Sequence, residues 1–394
     1  IDAVGTPPLA RVLLGASVAG LDPEIPFGRG WDNANQWMFG WEFMMANRED
    51  YLEMARRARL AVAACGLALG LLVLAAATRL FGPWGGAAAM GALLLNPNFV
   101  AHSSVAGTDV PLALACSLSF YILFLWYETE KTRYALLSGA ALGGAMLVKY
   151  NAVIVAPAIL LLIVAGAVSH ARRRGTRRRG MGKGIATAAG AAFVIMVAAV
   201  TAVNCGYRWD GSFGRVDSYV FESSVMASAA DALPGSTPVP LPRGFVEQVD
   251  ANLREPDRVN FRYYFMGETS GQGWPEYYVV AEALKEPLGF IAMCAVALAA
   301  AAAGRRREAL LFALPYAVFL GVFSLLLKVD VGVRYLLPGV SMLAVAAGGA
   351  AVTAKGRVFA VLMLAWMLVA AVSVHPNHLA YFNEAAGGQE GGRR

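Results

Sequence analysis

The feature that most constrains this chain is a recurring apolar run. Ten stretches of about the length needed to cross a bilayer follow one another at roughly 60–78, 84–101, 109–127, 134–148, 150–169, 184–206, 287–303, 308–327, 335–354 and 358–374. Hydrophobic residues make up 58% of the 394 and charged residues 15%. A soluble core of this length would need more polar cover than that. A soluble enzyme, a disordered chain and a disulfide scaffold are therefore excluded. The expectation is an all-α polytopic membrane protein. Gly143, Gly144, Pro157, Pro315 and Pro338 fall inside the runs, where neighbouring helices can re-satisfy the backbone.

The net charge is +6. Its placement matters more than its size. Arg79, the pair Lys131 and Arg133, the run from Arg172 to Lys183, Arg305–Arg307, and the pair Lys355 and Arg357 all follow odd-numbered runs. One threading puts every one of these clusters in the cytoplasm. The arginine run could serve nucleic acid or anionic lipid, but orientation accounts for four other loops as well, and no nucleic-acid partner is expected. Only six of the 33 basic residues are lysine and the runs are Ala-rich, a bias that suggests a G+C-rich bacterial genome. Cys65, Cys116, Cys205 and Cys294 lie in apolar runs without metal-ligand spacing and read as small hydrophobes.

This threading divides the chain into an extracytoplasmic loop 1–59 with amphipathic helices, six spans in 60–206, an extracytoplasmic loop 207–286, four spans in 287–374 and an extracytoplasmic tail 375–394. The loop 207–286 should hold short helices lying over the bundle, since Pro234, Pro238, Pro240 and Pro242 interrupt regular structure. Trp31, Trp37, Trp41, Tyr263, Tyr264, Phe265, Trp274, Tyr277 and Tyr278 crowd the same face, as an interfacial belt would.

Nearly all the remaining polar chemistry shares that face. Asp109 opens the third run. It is either a helix-start acid with Thr108 as cap, or a metal ligand or general base facing a cavity. Lys149 stands between two runs, where it can snorkel or hold an anionic headgroup. Arg334 opens the ninth run, beside Lys328 and Asp330. It is an interfacial anchor or a two-pronged phosphate ligand. Glu268 sits in a glycine-rich turn that lacks the Gly-Lys-Ser/Thr of a phosphate-cradling loop. His375 and His378 have no third ligand at recognisable spacing. The three charges at span ends should converge on one outward-facing polar cavity, because unpaired burial would cost several kcal/mol.

In order along the chain stand Pro7-Pro8-Leu9-Ala10-Arg11, Ala58-Arg59-Leu60, Asn96-Pro97-Asn98, Thr108-Asp109-Val110-Pro111-Leu112, Lys149-Tyr150, Gly267-Glu268, Gly273-Trp274, Lys285-Glu286-Pro287-Leu288, Arg334-Tyr335-Leu336-Leu337-Pro338 and His378-Leu379-Ala380-Tyr381-Phe382-Asn383. This ordered set resembles the GT-C glycosyltransferases related to protein O-mannosyltransferases and bacterial aminoarabinose transferases. The resemblance implies a GT-C-like bundle of about ten transmembrane helices with extracytoplasmic interfacial helices. It implies a polyprenyl-phosphate-linked sugar as donor, an extracytoplasmic protein, lipid or glycan as acceptor, and inverting transfer at the outer face of a bacterial inner membrane. Asp109 then falls on the family's second acidic position, with a divalent metal as an optional companion. Lys149, Tyr150, Lys285, Arg334, Tyr335, Glu268 and His102 fall where donor phosphate or substrate would bind. The chain departs from the family in lacking a first helix and the acidic loop that carries the main catalytic Asp, and Thr6 replaces the usual basic residue before Pro7. A fragment of a longer enzyme is expected. A transporter or flippase of lipid-linked sugars, or a non-catalytic relative, are the alternatives.

Overall fold

A computed structural model describes residues 6–33, 35–163, 179–258, 262–271, 273–304, 308–327 and 329–392. The arginine run at 172–178, Arg305–Arg307 and Lys328 lie outside the described residues, as do the side chains of Arg179 and Lys183.

Among the described residues, the ten apolar runs fall mainly on helix. The first two lie in α3 (Tyr51–Leu94), two helical arms that meet at Gly82 and fold back on each other; it follows α1 (Pro8–Val18) and α2 (Gln36–Ala46). The sequence around Arg79–Pro83 reads as a loop between two spans, and the chain does turn back there, bringing Gly70 against the Leu94 side chain and Gly66 against Ser103. Gly82 adopts φ 81°, and Pro83 supplies no backbone donor to the turn before it. The chain then forms α4 (Pro97–Ser103), α5 (Asp109–Thr129), α6 (Thr132–Val148), α7 (Tyr150–Ile163) and α8 (Arg179–Gly206). After the long loop come α11 (Tyr277–Lys285), α12 (Leu288–Ala302), α13 (Glu308–Val322), α14 (Leu337–Ala347) and α15 (Ala354–Ser373). Among the described residues, six helices are long and apolar enough to cross a membrane, or seven if α11 and α12, bent by 110°, form one broken span. The chain is an integral membrane protein with a helical, polytopic fold.

The core follows from small residues. α14 is buried along its whole length and packs against α3, α5, α12 and α13. α6 meets α8 so closely that a Cβ at Gly139 would stand 2.3 Å from the Ile195 carbonyl oxygen. Close backbone approach of this kind is how membrane helices gain packing energy when lipid is as apolar as they are. Buried serines add polar ties: Ser117 and Ser341 hydroxyls lie 2.8 Å apart between α5 and α14, and Ser119 donates to the Ser138 carbonyl at 2.9 Å.

Charge sorts to the two ends of the bundle. Arg79 pairs with Glu128 at 2.7 Å, beside the turn that carries Lys131 and Arg133. Arg357 lies over the Trp84 ring at 5.6 Å. Three of the basic clusters thus share one end. α5 carries Glu128 at that end and Asp109 at the other.

The loop 207–286 holds α9 (Ser224–Asp231) and α10 (Arg243–Arg258). It also has a feature the sequence did not suggest, an antiparallel hairpin of β1 (Tyr263–Phe265) and β2 (Glu268–Ser270). No larger sheet occurs among the described residues. The loop lies on the bundle through Phe245 of α10, whose ring packs against Tyr150 and Tyr207 at 5.7 and 6.2 Å. Asn204 at the end of α8 donates to the Pro240 carbonyl at 2.9 Å. Trp37 and Trp41 on α2 remain exposed, as interfacial aromatics would.

Substituting Gly139→Val should lower stability by about 1–3 kcal/mol, since the backbone of α8 must move to admit the side chain. Gly144→Ala, where a Cβ meets nothing within 4 Å, should leave it unchanged or raise it slightly. Thermal unfolding of the two variants in one detergent checks this. Equal melting temperatures would show that the α6–α8 contact is not tight.

Candidate functional site

α5 starts at Asp109, and Thr108 makes no capping hydrogen bond with its side chain. The reading of Thr108 as a cap is therefore corrected. The position before a helix that a capping threonine would occupy has extended backbone, whereas Thr108 is already helical at φ −98°, ψ −8°. Asp109 is taken up elsewhere. Its Oδ1 accepts a hydrogen bond from Lys149 Nζ at 2.6 Å. The two side chains are 14% and 20% exposed, so the pair is shielded enough to outlast salt screening. Lys149 reaches it because α6 ends there. Its backbone is extended at φ −155°, ψ 134°, the break between α6 and α7. The lysine does not snorkel outward.

Lys149 Nζ also lies 4.5 Å from the centre of the Tyr335 ring, and Arg334 Cζ lies 5.4 Å from the same ring. One aromatic face thus gathers two cations that are far apart in sequence. Arg334 is exposed, and no ion pair engages it among the described residues. Asp109 and Lys149, two of the three charges expected to share a cavity, are paired, and Arg334 lies next to them beside the Tyr335 ring.

His102 at the end of α4 sits within the field of this group. Burial pushes its imidazole below the usual histidine range. Asp109 opposes that shift, and Arg334, Lys285 and Lys149 add to it. Lys285 is held apart: its Nζ donates to the Leu379 carbonyl at 3.2 Å and lies 4.5 Å from the Phe382 ring.

Two expected site residues stand elsewhere. The Tyr150 hydroxyl lies 2.9 Å from that of Tyr207, and its ring is buried against Phe245. It fastens the long loop to the bundle. Its neighbour Lys149 is extended, which turns successive side chains to opposite sides. Glu268 is exposed on β2, and among the described residues no hydrogen bond or ion pair ties it to Asp109, Lys149 or Arg334. The rest of the hairpin does approach the site. Phe265 packs on Trp274 and Tyr277, and the Trp274 amide donates to Asp330 at 2.7 Å, four residues before Arg334.

The sequence reading gave Asn96, Asn98, Glu286 and Asn383 no role, though it quoted the motifs that contain them. The Asn96 side chain caps α4 and donates to Glu286 at 2.6 Å. Asn98 donates to the Lys285 carbonyl at 2.5 Å. Asn383 donates to the Ala283 and Glu286 carbonyls at 2.7 and 2.9 Å. These amides close the corner between α11 and α12 and bind the tail to it. Asn-Pro at 96–97 is a legible helix start, but its tie to a residue 190 positions away is not.

A divalent metal does not fit at Asp109. The carboxylate is engaged by an ammonium, and no group of three or more His, Cys, Asp or Glu side chains that could hold a metal occurs among the described residues. His375, exposed, and His378, half-buried, face each other at 3.3 Å, and no third ligand joins them among the described residues. Burial, then the His375 charge, lowers His378.

Residues 53–202 match the family model described as dolichyl-phosphate-mannose-protein mannosyltransferase, a segment that holds His102, Asp109 and Lys149. Over that segment the chain is similar to this family of membrane mannosyltransferases, which agrees with the resemblance read from the sequence. Crystal structures of ArnT from Cupriavidus metallidurans are similar at low identity. The apo form aligns at 17% identity over 94% of this chain and 69% of that one, with a TM-score of 0.30. The form bound to undecaprenyl phosphate aligns at 18% over 94% and 70%, with a TM-score of 0.31. No curated protein matches the chain.

His102 generates a pH expectation. Its folded-state pKa lies below the unfolded value of about 6.5, so the unfolded chain takes the proton first as pH falls. Stability contributed by neutral His102 is therefore present above about pH 6.5 and declines below it. His102→Asn should flatten that part of the melting temperature against pH curve. An unchanged slope would mean that the imidazole is not buried as a neutral group.

Proposed function

We propose that this chain is the donor-binding part of a glycosyltransferase that moves a sugar from a polyprenyl phosphate to an extracytoplasmic acceptor with inversion. The observation that carries this reading is the Asp109–Lys149–Tyr335–Arg334 group at one end of the bundle. When the sugar leaves such a donor, the lipid phosphate departs as an anion, and preplaced cations lower that barrier. Asp109 holds the Lys149 ammonium in place. Tyr335 orients it together with the guanidinium of Arg334, which can grip a phosphate with two parallel hydrogen bonds. The N-terminus of α5 points its free amides at the same region, adding a fixed partial positive charge. Since Asp109 is committed to Lys149, we assign it a positioning role and not that of the acceptor's base. Lys285, Glu268 and Tyr150 take no part in phosphate binding on this reading.

Radiolabelled polyprenyl-phosphate sugar, supplied to membranes containing the full-length protein, tests the proposal. Arg334→Ala should raise the apparent donor KM roughly tenfold or more, the cost of a lost hydrogen bond to a charged group. Asp109→Asn should lower kcat more than it raises KM, because it frees the ammonium while keeping the shape. Normal transfer by Asp109→Asn would remove Asp109 from the mechanism. Translocation of intact labelled lipid, with no sugar transferred, would assign the chain to transport instead.

We further propose that 1–59, 207–286 and 375–394 face the extracytoplasmic side, with the basic clusters in the cytoplasm. In a background lacking the four native cysteines, a membrane-impermeant thiol reagent added outside should label Ser236→Cys and spare Lys131→Cys. The reverse pattern would invert the threading.

A further inference from the structure

Away from the Asp109 group, a cavity of about 350 Å³ lies at the bend between α11 and α12, walled by α13 and α14. Val279, Phe290, Ile291, Leu320 and Leu343 give it apolar sides. Two carboxyl groups one helical turn apart, Glu282 and Glu286, also line it. Both are buried, at 6% and 4% exposure. Glu286 receives the Asn96 amide. Glu282 is only half satisfied: its Oε2 accepts from the Tyr316 hydroxyl at 3.2 Å, while its Oε1 has no partner among the described residues.

A buried acceptor left open is costly, more so when charged, so a donor is needed to complete it. No lysine or arginine among the described residues comes within salt-bridge distance of either glutamate. Lys285 acts on Glu286 electrostatically but forms no ion pair with either carboxyl group, so a positive donor entering the cavity would complete the pair. The cavity opens on the outside of the bundle, since Val279 and Ile291 are 53% and 38% exposed. That surface belongs to helices apolar enough to meet lipid. The volume sits at the low end of ligand pockets, room for a head group and the start of a chain.

We propose that this cavity binds a membrane amphiphile with a primary ammonium head, its nitrogen donating to Glu282 Oε1 and its chain running past Ile291 and Leu320. The site is separate from the Asp109 group and does not depend on the transferase reading. The ammonium offers three N–H donors in a compact head. A quaternary ammonium has none, and a neutral hydroxyl supplies one donor without charge.

The test uses the full chain in lipid nanodiscs and three photoactivatable lipids of equal chain length, with phosphatidylethanolamine, phosphatidylcholine and diacylglycerol heads. Crosslinked peptides are read by mass spectrometry. The ethanolamine probe should label peptides covering residues 279–295, and Glu282→Gln should cut that labelling roughly tenfold, the cost of a lost hydrogen bond to a charged group. Ile291→Trp fills the cavity and leaves both carboxyl groups in place, so it should abolish labelling without loss of folding, checked by melting temperature. It decides the matter if Glu282→Gln fails to fold. Equal labelling by the choline or diacylglycerol probe, displacement by soluble ethanolamine alone, or labelling that survives Ile291→Trp would each overturn the proposal.

Discussion

The ion pair between Lys149 and Asp109 fixes much of this molecule. It joins the start of α5 to the break between α6 and α7, forty residues apart in sequence. A lone charge at either position would have to reach for water or drag polar groups inward. Paired, the two leave α5, α6 and α7 free to pack on apolar and small residues, with Ser119 and Ser138 as a neutral polar tie. The pairing also dictates the fold of the break. Lys149 has to leave the helix and extend, and that turns Tyr150 the other way, onto Tyr207 and Phe245. One interaction therefore settles both the polar group on one side of the chain and the docking of the long loop on the other.

A second frame is made of amides. Asn96, Asn98 and Asn383 donate to Glu286 and to the carbonyls of Ala283, Lys285 and Glu286. The bend before Pro287 leaves those carbonyls without helical partners, and in an apolar surrounding each must be satisfied. Asparagine does this without importing charge. The consequence for function is positional: α4, which carries His102, is anchored to the same corner that holds Lys285, so the basic residues around His102 share one rigid support.

Much of the helical architecture was legible because hydropathy and span length are local properties. The ten runs needed no tertiary knowledge. The turn at Gly82–Pro83 between the first two runs was legible as well, because Gly and Pro break a helix locally. Asp109, Lys149 and Arg334 were legible because charge at the end of an apolar run is costly wherever it occurs. Tyr150 and Glu268 were not. Tyr150 follows a site residue in sequence but points away from it, and Glu268 lies on a hairpin whose aromatic side chains, not its acid, face the bundle. Glu282 lay hidden in an amphipathic segment whose buried face is set by Tyr316 on another helix.

The charges at the two ends of the bundle differ in kind. At one end Arg79 and Glu128 are matched one to one and half exposed, an arrangement that water and salt can replace at little cost. At the other end a single carboxylate, Asp109, meets two cations on one aromatic ring. His102 adds no charge there, since burial favours its neutral form. The backbone contributes in the same sense, because α5 begins at this group and α14 begins just after Tyr335, so both present positive N-terminal ends. The sum is an unmatched positive charge beside an apolar bundle. On the function proposed above, the anion that neutralises it is a phosphate carried on a lipid chain, which brings its own hydrocarbon to the apolar bundle.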